Sequence, residues 1–182
     1  NKEAYKKLIG DEVFNKRINS IATKAVTDSP RADDVALFEA ALELLKNNKA
    51  PDQQETTLKL SMQYYLKMND MNNYDKNASA YIKKYAAKNA ALLNDVAWNY
   101  FLNVNEQPLL SKATKWAYEA LNIDNKYNYN LTYAYLLYKQ NNFKEAERAC
   151  DYAIIRANEE NVQPSSAKAL KDSIAKRLSE RN

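Results

Sequence analysis

The sequence predicts an all-α protein, and three observations lead to that fold class. The chain of 182 residues contains one Gly and four Pro, so the residues that favour sharp turns are scarce. Ala, Leu, Lys, Glu and Asn are abundant, while uninterrupted apolar runs are short. Apolar residues recur three or four positions apart, which is the spacing of helices with one buried face.

The N-terminal part predicts two helices. The first is expected over residues 11–27, after a break at Gly10, and the second begins at Ser29-Pro30, where Pro has no hydrogen bond to lose. Asn47-Asn48 ends the second helix. The apolar face of the first helix holds Phe14, Ile18, Ile21 and Ala25, and that of the second holds Val35, Phe38, Leu42 and Leu45.

The segment 131–154 predicts a tight helical hairpin. Two short helical patterns lie on either side of Asn141-Asn142, and Asn tolerates the left-handed conformation that a helix end requires. The second pattern carries a stripe of small residues, namely Ala146, Ala149, Cys150 and Ala153. Small residues at this spacing leave a flat face on which another helix can lie close.

Two earlier hairpins are expected to precede this one. Helices over 91–103 and 109–122 form the middle pair, in which Ala113 and Ala120 are placed as Ala146 and Ala153 are, with an offset of 146 − 113 = 33 residues. An extension at Val104–Pro108 is expected to lengthen the turn of the middle pair by about four residues.

The earliest pair has a weaker pattern. A helix over 51–68 carries Leu58, Ser61, Met62 and Tyr65, and the phrase from Asn72 to Lys76 repeats the turn phrase at Asn141. Asn77 then stands where Ala is expected, at 113 − 77 = 36 residues before Ala113.

At the other end of the chain, Pro164 opens a last helix with one narrow apolar face, as the terminal cap of a stacked array requires. That face holds Ala167, Leu170, Ile174 and Leu178.

Composition and charge disfavour several classes of function. The formal charge of +4 is spread over mixed Lys, Arg, Asp and Glu, so no one-sided basic stripe favours nucleic acid. No segment approaches the roughly 20 apolar residues of a membrane span, so we expect a soluble chain without membrane insertion. Asn in place of Met at position 1 indicates a processed or excised chain, from which any targeting segment is expected to have been removed.

Residue types that carry most catalysis are scarce. The chain has no His, and its single Gly cannot build a phosphate-binding loop. Cys150 is the only cysteine, which excludes CxxC chemistry within the chain, and its place on the small-residue stripe predicts burial. The carboxylate neighbours Asp33-Asp34 and Glu159-Glu160 would point about 100° apart on a helix, so structural roles are expected. We therefore predict no enzyme activity, no catalytic residue, no metal site and no cofactor.

The hairpin at 131–154 resembles a tetratricopeptide repeat (TPR). Ala134, Ala146 and Ala153 hold the places of the family's small residues, and the phrase 138–146 matches its turn, with Asn141 where Gly is usual. The resemblance implies a right-handed α-α superhelix of TPR-like hairpins in a single all-helical domain. Its parts would be the N-terminal helices 1–49, a degenerate repeat 50–89, a repeat 90–125, the best-matching repeat 126–159 and a capping helix 163–180.

The same resemblance implies a binding surface. Ser61, Ala97 and Ala134 are aligned as the small residue in the first helix of each repeat. In the family, the residue three positions after this small residue packs inside the repeat, and the residues one and four positions after it line a concave groove. That groove would hold Met62, Tyr65, Trp98, Phe101, Tyr135 and Tyr138. Asn94 lies near a place where some members clamp a terminal carboxylate, but Leu58 and Leu131 occupy its counterparts. The alternative is that these rings pack against neighbouring helices of the same chain.

Four further motifs span most of the chain: Tyr5…Gly10-Asp11…Phe14, Asp95-Val96-Ala97-Trp98, Lys115-Trp116-Ala117 and Thr132-Tyr133-Ala134. Together they resemble the helical C-terminal region of bacterial thioredoxin-family, or thiol-disulfide interchange, proteins. In those proteins a thioredoxin fold with a CxxC precedes the helices. The resemblance implies that this chain is the accessory region beside an adjacent thioredoxin domain, in the bacterial periplasm or cell envelope.

Three functions stay open at this point. The first is a non-catalytic TPR-like module that binds a protein or peptide partner. The second is a structural spacer whose inner surface is filled by its own side chains. The third is a small-molecule binding protein that uses the aromatic groove.

Overall fold

A computed structural model describes residues 2–27, 34–48 and 50–180. The described residues form ten α-helices and one π-helical turn and contain no strand, which confirms the all-α prediction. The chain divides into two compact units, residues 1–81 and residues 82–182. The first unit contains α1 (Lys2–Ile9), α2 (Asp11–Thr27), α3 (Val35–Lys46), α4 (Gln53–Lys67) and α5 (Met71–Tyr81). The second contains a π turn (Ile82–Ala86), α6 (Ala90–Asn103), α7 (Gln107–Ile123), α8 (Tyr127–Lys139), α9 (Phe143–Glu159) and α10 (Ser165–Ser179).

In the first unit, the break at Gly10 is confirmed. Gly10 has a φ of +81°, and its N–H closes α1 by donating to the Lys6 carbonyl oxygen at 2.9 Å. The residues before it form α1, a helix that the sequence analysis did not assign. Helix α2 spans the predicted residues, but Ile21 is 56% exposed, while Ala22 and Val26 are buried. Phe14 is buried as predicted, whereas the later buried residues Ala22 and Val26 each lie one position after the predicted Ile21 and Ala25.

Helix α3 begins at Val35, and Asp34 caps it by accepting a hydrogen bond from the Leu37 N–H at 3.0 Å. The predicted start at Ser29-Pro30, like Asp33, lies outside the described residues. Phe38 and Leu45 are buried as predicted, but Val35 is 48% exposed because it stands in the first turn. The predicted end at Asn47 is confirmed, since α3 ends at Lys46.

The connection between α4 and α5 corrects the predicted turn. Asn69 has a φ of +53°, and Asp70 caps α5 by accepting a hydrogen bond from the Asn73 N–H at 3.0 Å. Asn72 and Asn73 therefore lie in the first turn of α5 and do not form the connection. The counterpart of Asn141 is Asn69, at 141 − 69 = 72 residues, three residues earlier than the phrase similarity indicated.

This shift changes which residues close the first hairpin. With Asn69 matched to Asn141, the counterpart of Ala146 is Tyr74 and not Asn77. Tyr74 is 1% exposed, and Ala78 and Tyr81 are the other buried residues of α5. The first hairpin is thus closed by two large rings, where the prediction expected an alanine-sized residue.

The second unit is built on two helix pairs, α6 with α7 and α8 with α9. Helix α8 also packs against α6 and α7, so the pairs lie side by side. The predicted small-residue stripe is confirmed, since Ala113, Ala120, Ala146 and Ala153 all have 0% exposure. Helix α10 packs against α8 and α9 through the predicted narrow face, in which Ala167, Leu170 and Ile174 are buried and Leu178 is partly buried.

The predicted long turn of the middle pair is wrong. Both pairs of the second unit have three-residue connections, 104–106 and 140–142. The additional residues extend helices instead, since α7 begins six residues before Ala113 whereas α9 begins three residues before Ala146. Val104 is fully buried in an extended conformation, which holds the middle connection against the core.

Candidate functional site

The aligned columns separate by burial as the prediction required. The small residues Ser61, Ala97 and Ala134 are buried, and so are Tyr64, Tyr100 and Leu137 three positions later. The six predicted groove residues, one and four positions later, are all partly exposed: Met62, Tyr65, Trp98, Phe101, Tyr135 and Tyr138. Helices α4, α6 and α8 therefore each carry partly exposed large side chains next to residues that are buried in the core.

In the second unit, three of these side chains form one aromatic cluster. Trp98 and Phe101 lie one turn apart on α6, and Tyr135 faces them from α8. The ring centroids of Trp98 and Phe101 are 4.9 Å apart, those of Trp98 and Tyr135 are 5.6 Å apart, and those of Phe101 and Tyr135 are 4.9 Å apart. These distances are within the range of roughly 4.5–7 Å in which aromatic rings attract one another.

An open groove of about 510 Å³ lies beside this cluster, between α6, α8 and α10. The sequence analysis identified three of its residues, Phe101, Tyr135 and Tyr138, and missed the wall contributed by α10. The groove is lined by residues of all three helices, namely Phe101, Leu102, Tyr135, Tyr138, Lys139, Ala169, Leu170 and Ser173. The sequence pattern shows that α10 has an apolar face. It does not show that this helix packs beside α8 and so forms a wall of the groove.

Among the described residues that line the groove, Lys139 is the only charged one. Its Nζ donates a hydrogen bond to the Phe101 carbonyl oxygen at 2.6 Å and lies 5.4 Å from the centroid of the Phe101 ring. Burial lowers the pKa of the Lys139 amine below its usual value, and the Glu106 carboxylate opposes that change. None of the ion pairs found in the described residues involves Lys139.

Two tyrosines give the groove hydroxyl groups. Burial is the main cause that raises the pKa of Tyr135 above its usual value, so its hydroxyl is protonated and can donate at neutral pH. The Tyr138 ring packs against Phe143 at 5.5 Å, and the Tyr138 hydroxyl hydrogen-bonds with Arg177 of α10. The groove thus combines apolar walls with two hydroxyls and a cationic end.

Met62 and Tyr65 belong to the first unit. Tyr65 contacts the rings of Phe38 at 5.7 Å and Tyr64 at 5.4 Å, and it packs against the core formed by α2, α3 and α4. For Tyr65 these contacts match the packing alternative that the sequence left open. Asn94 in the second unit is buried one turn before Trp98, and its Oδ1 has no hydrogen-bond partner among the described residues.

The candidates for chemistry have structural settings. Cys150 is fully buried, and burial raises the pKa of its thiol to about 12. Glu159 pairs with Arg156, while Glu160 accepts a hydrogen bond from the Tyr127 N–H at 2.7 Å. In the part of the chain that the structure describes, no three His, Cys, Asp or Glu side chains are grouped so that they could hold a metal ion.

A larger cavity of about 770 Å³ lies in the first unit, between α1, α2 and the connection from α3 to α4. Its ionic side chains already have partners nearby: Lys6 pairs with Asp11 at 3.3 Å, and Lys16 pairs with Glu12 at 2.7 Å. Asp52 accepts a hydrogen bond from Asn19 at 2.7 Å. The groove beside Lys139 is therefore the stronger candidate site.

The chain matches no protein-family model, no curated protein and no solved structure. Among the described helices, none has both the length and the apolar character needed to cross a membrane.

Proposed function

We propose that the chain is a non-catalytic TPR-like interaction module that binds a peptide segment of a partner protein between α6, α8 and α10. The supporting observation is the open groove whose walls are the accessible, oriented rings of Phe101, Tyr135 and Tyr138. Aromatic residues contribute much of the binding energy at protein interfaces, because they offer a large contact area with few rotatable bonds.

The size of the groove supports a peptide segment as its occupant. A volume of about 510 Å³ lies in the range of roughly 300–1,000 Å³ that is usual for sites that enclose part of a ligand. One or two apolar side chains of an extended or helical segment fit this space. The partly exposed tyrosine and lysine side chains that line the groove can then contact the backbone of the segment.

The proposal is tested with a phage-displayed library of random peptides. We expect peptides selected on the wild-type chain to lose at least about tenfold in affinity for a Trp98→Ala/Tyr135→Ala variant. Tyr152→Ala is the matched control, because Tyr152 is an aromatic residue on α9 that is 62% exposed and lies outside the groove. Enrichment of no peptide, or equal affinity for the double variant, would contradict the proposed function.

A structural spacer is the second candidate. The contacts among the rings of Trp98, Phe101 and Tyr135 favour it, because rings that pack on one another fill the surface with side chains of the chain itself. The same double variant separates the two functions. A binding groove predicts lost affinity with a nearly unchanged melting temperature. A self-filled surface predicts a loss of several kcal/mol in unfolding free energy, as for other buried aromatic residues replaced by Ala.

The setting that we propose for this module is beside a thioredoxin domain in a bacterial periplasmic or cell-envelope protein. The proposal rests on the resemblance of the four motifs described above, together with the burial of Cys150. The test is a disulfide-reduction assay with the chain alone and with the parent protein. We expect activity only in the parent, and activity in the isolated chain would overturn the non-catalytic assignment.

A further inference from the structure

We propose that the occupant of the groove is an acidic peptide segment, in which an apolar side chain lies against Tyr135 and Leu170 and a neighbouring carboxylate pairs with Lys139. This inference rests on the proposed function and adds the chemistry of the partner. It is carried by the charge of the groove, because the described residues that line it include one cation and no carboxylate.

The amine of Lys139 has capacity for such a pair. An ammonium group has three N–H donors, and the Phe101 carbonyl oxygen takes one of them at 2.6 Å. No ion pair of the described residues uses the others. A carboxylate in the groove could therefore pair with the Lys139 amine without breaking an existing ion pair of the described residues.

The second cation at this end of the groove strengthens the argument. Arg177 of α10 hydrogen-bonds with Tyr138, the residue before Lys139 in the sequence. The pairing of Arg177 with Glu180 is long, at 3.6 Å, and both side chains are about half exposed. An acidic segment would thus meet Lys139 in the groove and Arg177 close to Tyr138, whereas a basic segment would meet repulsion and no carboxylate among the described residues that line the groove.

Burial of Lys139 gives an independent reason for an anionic occupant. A partly buried amine loses hydration that its one hydrogen bond and the more distant Glu106 carboxylate restore only in part. Burial lowers the pKa of this amine, and a bound carboxylate is expected to raise it again.

The test uses three synthetic six-residue peptides with leucine and phenylalanine at the centre and two residues on each side. The flanking residues are glutamate, glutamine or lysine. Isothermal titration with the whole chain is expected to give an affinity for the glutamate peptide about tenfold higher than for the glutamine peptide, and the weakest affinity for the lysine peptide. Higher salt concentration should reduce the difference between them.

Lys139→Gln should remove this preference, so that the glutamate and glutamine peptides bind within about twofold of each other. Lys139→Arg keeps the positive charge and should keep the preference, and Lys115→Gln is the matched control on the exposed surface of α7. Binding of the glutamine peptide to Lys139→Gln also shows that the groove is intact.

Two results would overturn the inference, and they differ. Equal affinity of the wild-type chain for the glutamate and glutamine peptides would overturn the acidic preference and leave the proposed function standing. Failure of all three peptides to bind the wild-type chain would overturn the inference together with the peptide-binding function.

Discussion

In the part of the chain that the structure describes, asparagine closes three helices at positions where glycine is more usual. Asn69, Asn141 and Asn161 have φ values of +53°, +61° and +55°. Asn reaches the left-handed conformation more readily than other residues with a side chain, because its short polar group can hydrogen-bond locally. This explains how a chain with one Gly forms tight helical connections.

The left-handed conformation of Asn141 leads to a prediction about stability. Asn141→Ala should lower the free energy of unfolding by about 1 kcal/mol, whereas Asn141→Gly should leave it within about 0.5 kcal/mol of the wild type. The measurement is urea denaturation followed by circular dichroism. Asn122→Ala on α7 is the control, since Asn122 is exposed within a helix and Ala fits there. Equal losses for Ala and Gly at position 141 would show that this φ does not limit stability.

The buried thiol of Cys150 leads to a prediction about reactivity. With a pKa of about 12 in the folded chain, about one thiol in ten thousand is ionised at pH 8. In the unfolded chain, where the pKa is near its ordinary value of 9.0, about one in ten is ionised. Ellman's reagent should therefore label the denatured chain quickly and the native chain only at the rate of its opening. Fast labelling of the native chain would contradict the burial of Cys150.

The same pKa shift fixes a pH dependence. Because the folded pKa lies above the unfolded value, the unfolded state loses its thiol proton first as the pH rises. The contribution of Cys150 to stability is thus fully present below about pH 9 and declines between about pH 9 and 12. Comparison with Cys150→Ala separates this effect from the titration of lysines and tyrosines.

At the scale of elements, the small residues set how closely the helices of the second unit approach. Ala153 of α9 is fully buried among Tyr127, Ala157 and Ala167, so three helices meet at one alanine-sized place. Alanine has no side chain beyond Cβ, which lets the backbones of neighbouring helices lie close together.

Ala153→Leu should therefore lower the free energy of unfolding by about 1–3 kcal/mol through overpacking. Tyr152→Leu is the matched control, because Tyr152 is the adjacent residue of α9 and points to solvent. Thermal denaturation measures both. A melting temperature of Ala153→Leu equal to that of the control would mean that α9 does not pack closely against α8 and α10.

The sequence was most informative where the apolar periodicity was strong. The bounds of α2, the buried alanines of α7 and α9 and the narrow face of α10 follow from the spacing alone. Helix α1 was missed because it has eight residues and buries none of them, so its pattern carries little information.

The first hairpin shows why a phrase similarity misplaced a turn. The sequence Asn72-Asn73 looks like Asn141-Asn142, yet the chain turns at Asn69 and Asp70. The informative residues were Asn69, which tolerates a positive φ, and Asp70, which caps the next helix. They lie three residues before Asn72 and Asn73. The α10 wall of the groove was out of reach because it depends on packing between helices that are distant in sequence.

At the scale of the whole molecule, the chain consists of two compact units, each of which contains a cluster of buried apolar residues. Trp98 and Trp116 both belong to the second unit, so tryptophan fluorescence reports on that unit, whereas circular dichroism reports on helices of both. In helical arrays stability is roughly the sum of local interfaces, so units can unfold at different denaturant concentrations.

We therefore expect the two signals to give different midpoints in urea. The unit at 82–182, with its closely packed alanine stripe, should be the more stable of the two. The measurement is a pair of denaturation curves on the same samples. Coincident curves would indicate a single cooperative unit and contradict this expectation.

The central claim is that the inner surface between α6, α8 and α10 binds a peptide. Amide chemical-shift mapping of the wild-type chain with the glutamate-flanked peptide tests it most directly. We predict that the largest shifts cluster at Phe101, at 135–139 and at 169–173, with little change near Tyr152. Shifts centred on another surface, or no shifts at millimolar peptide, would contradict the account.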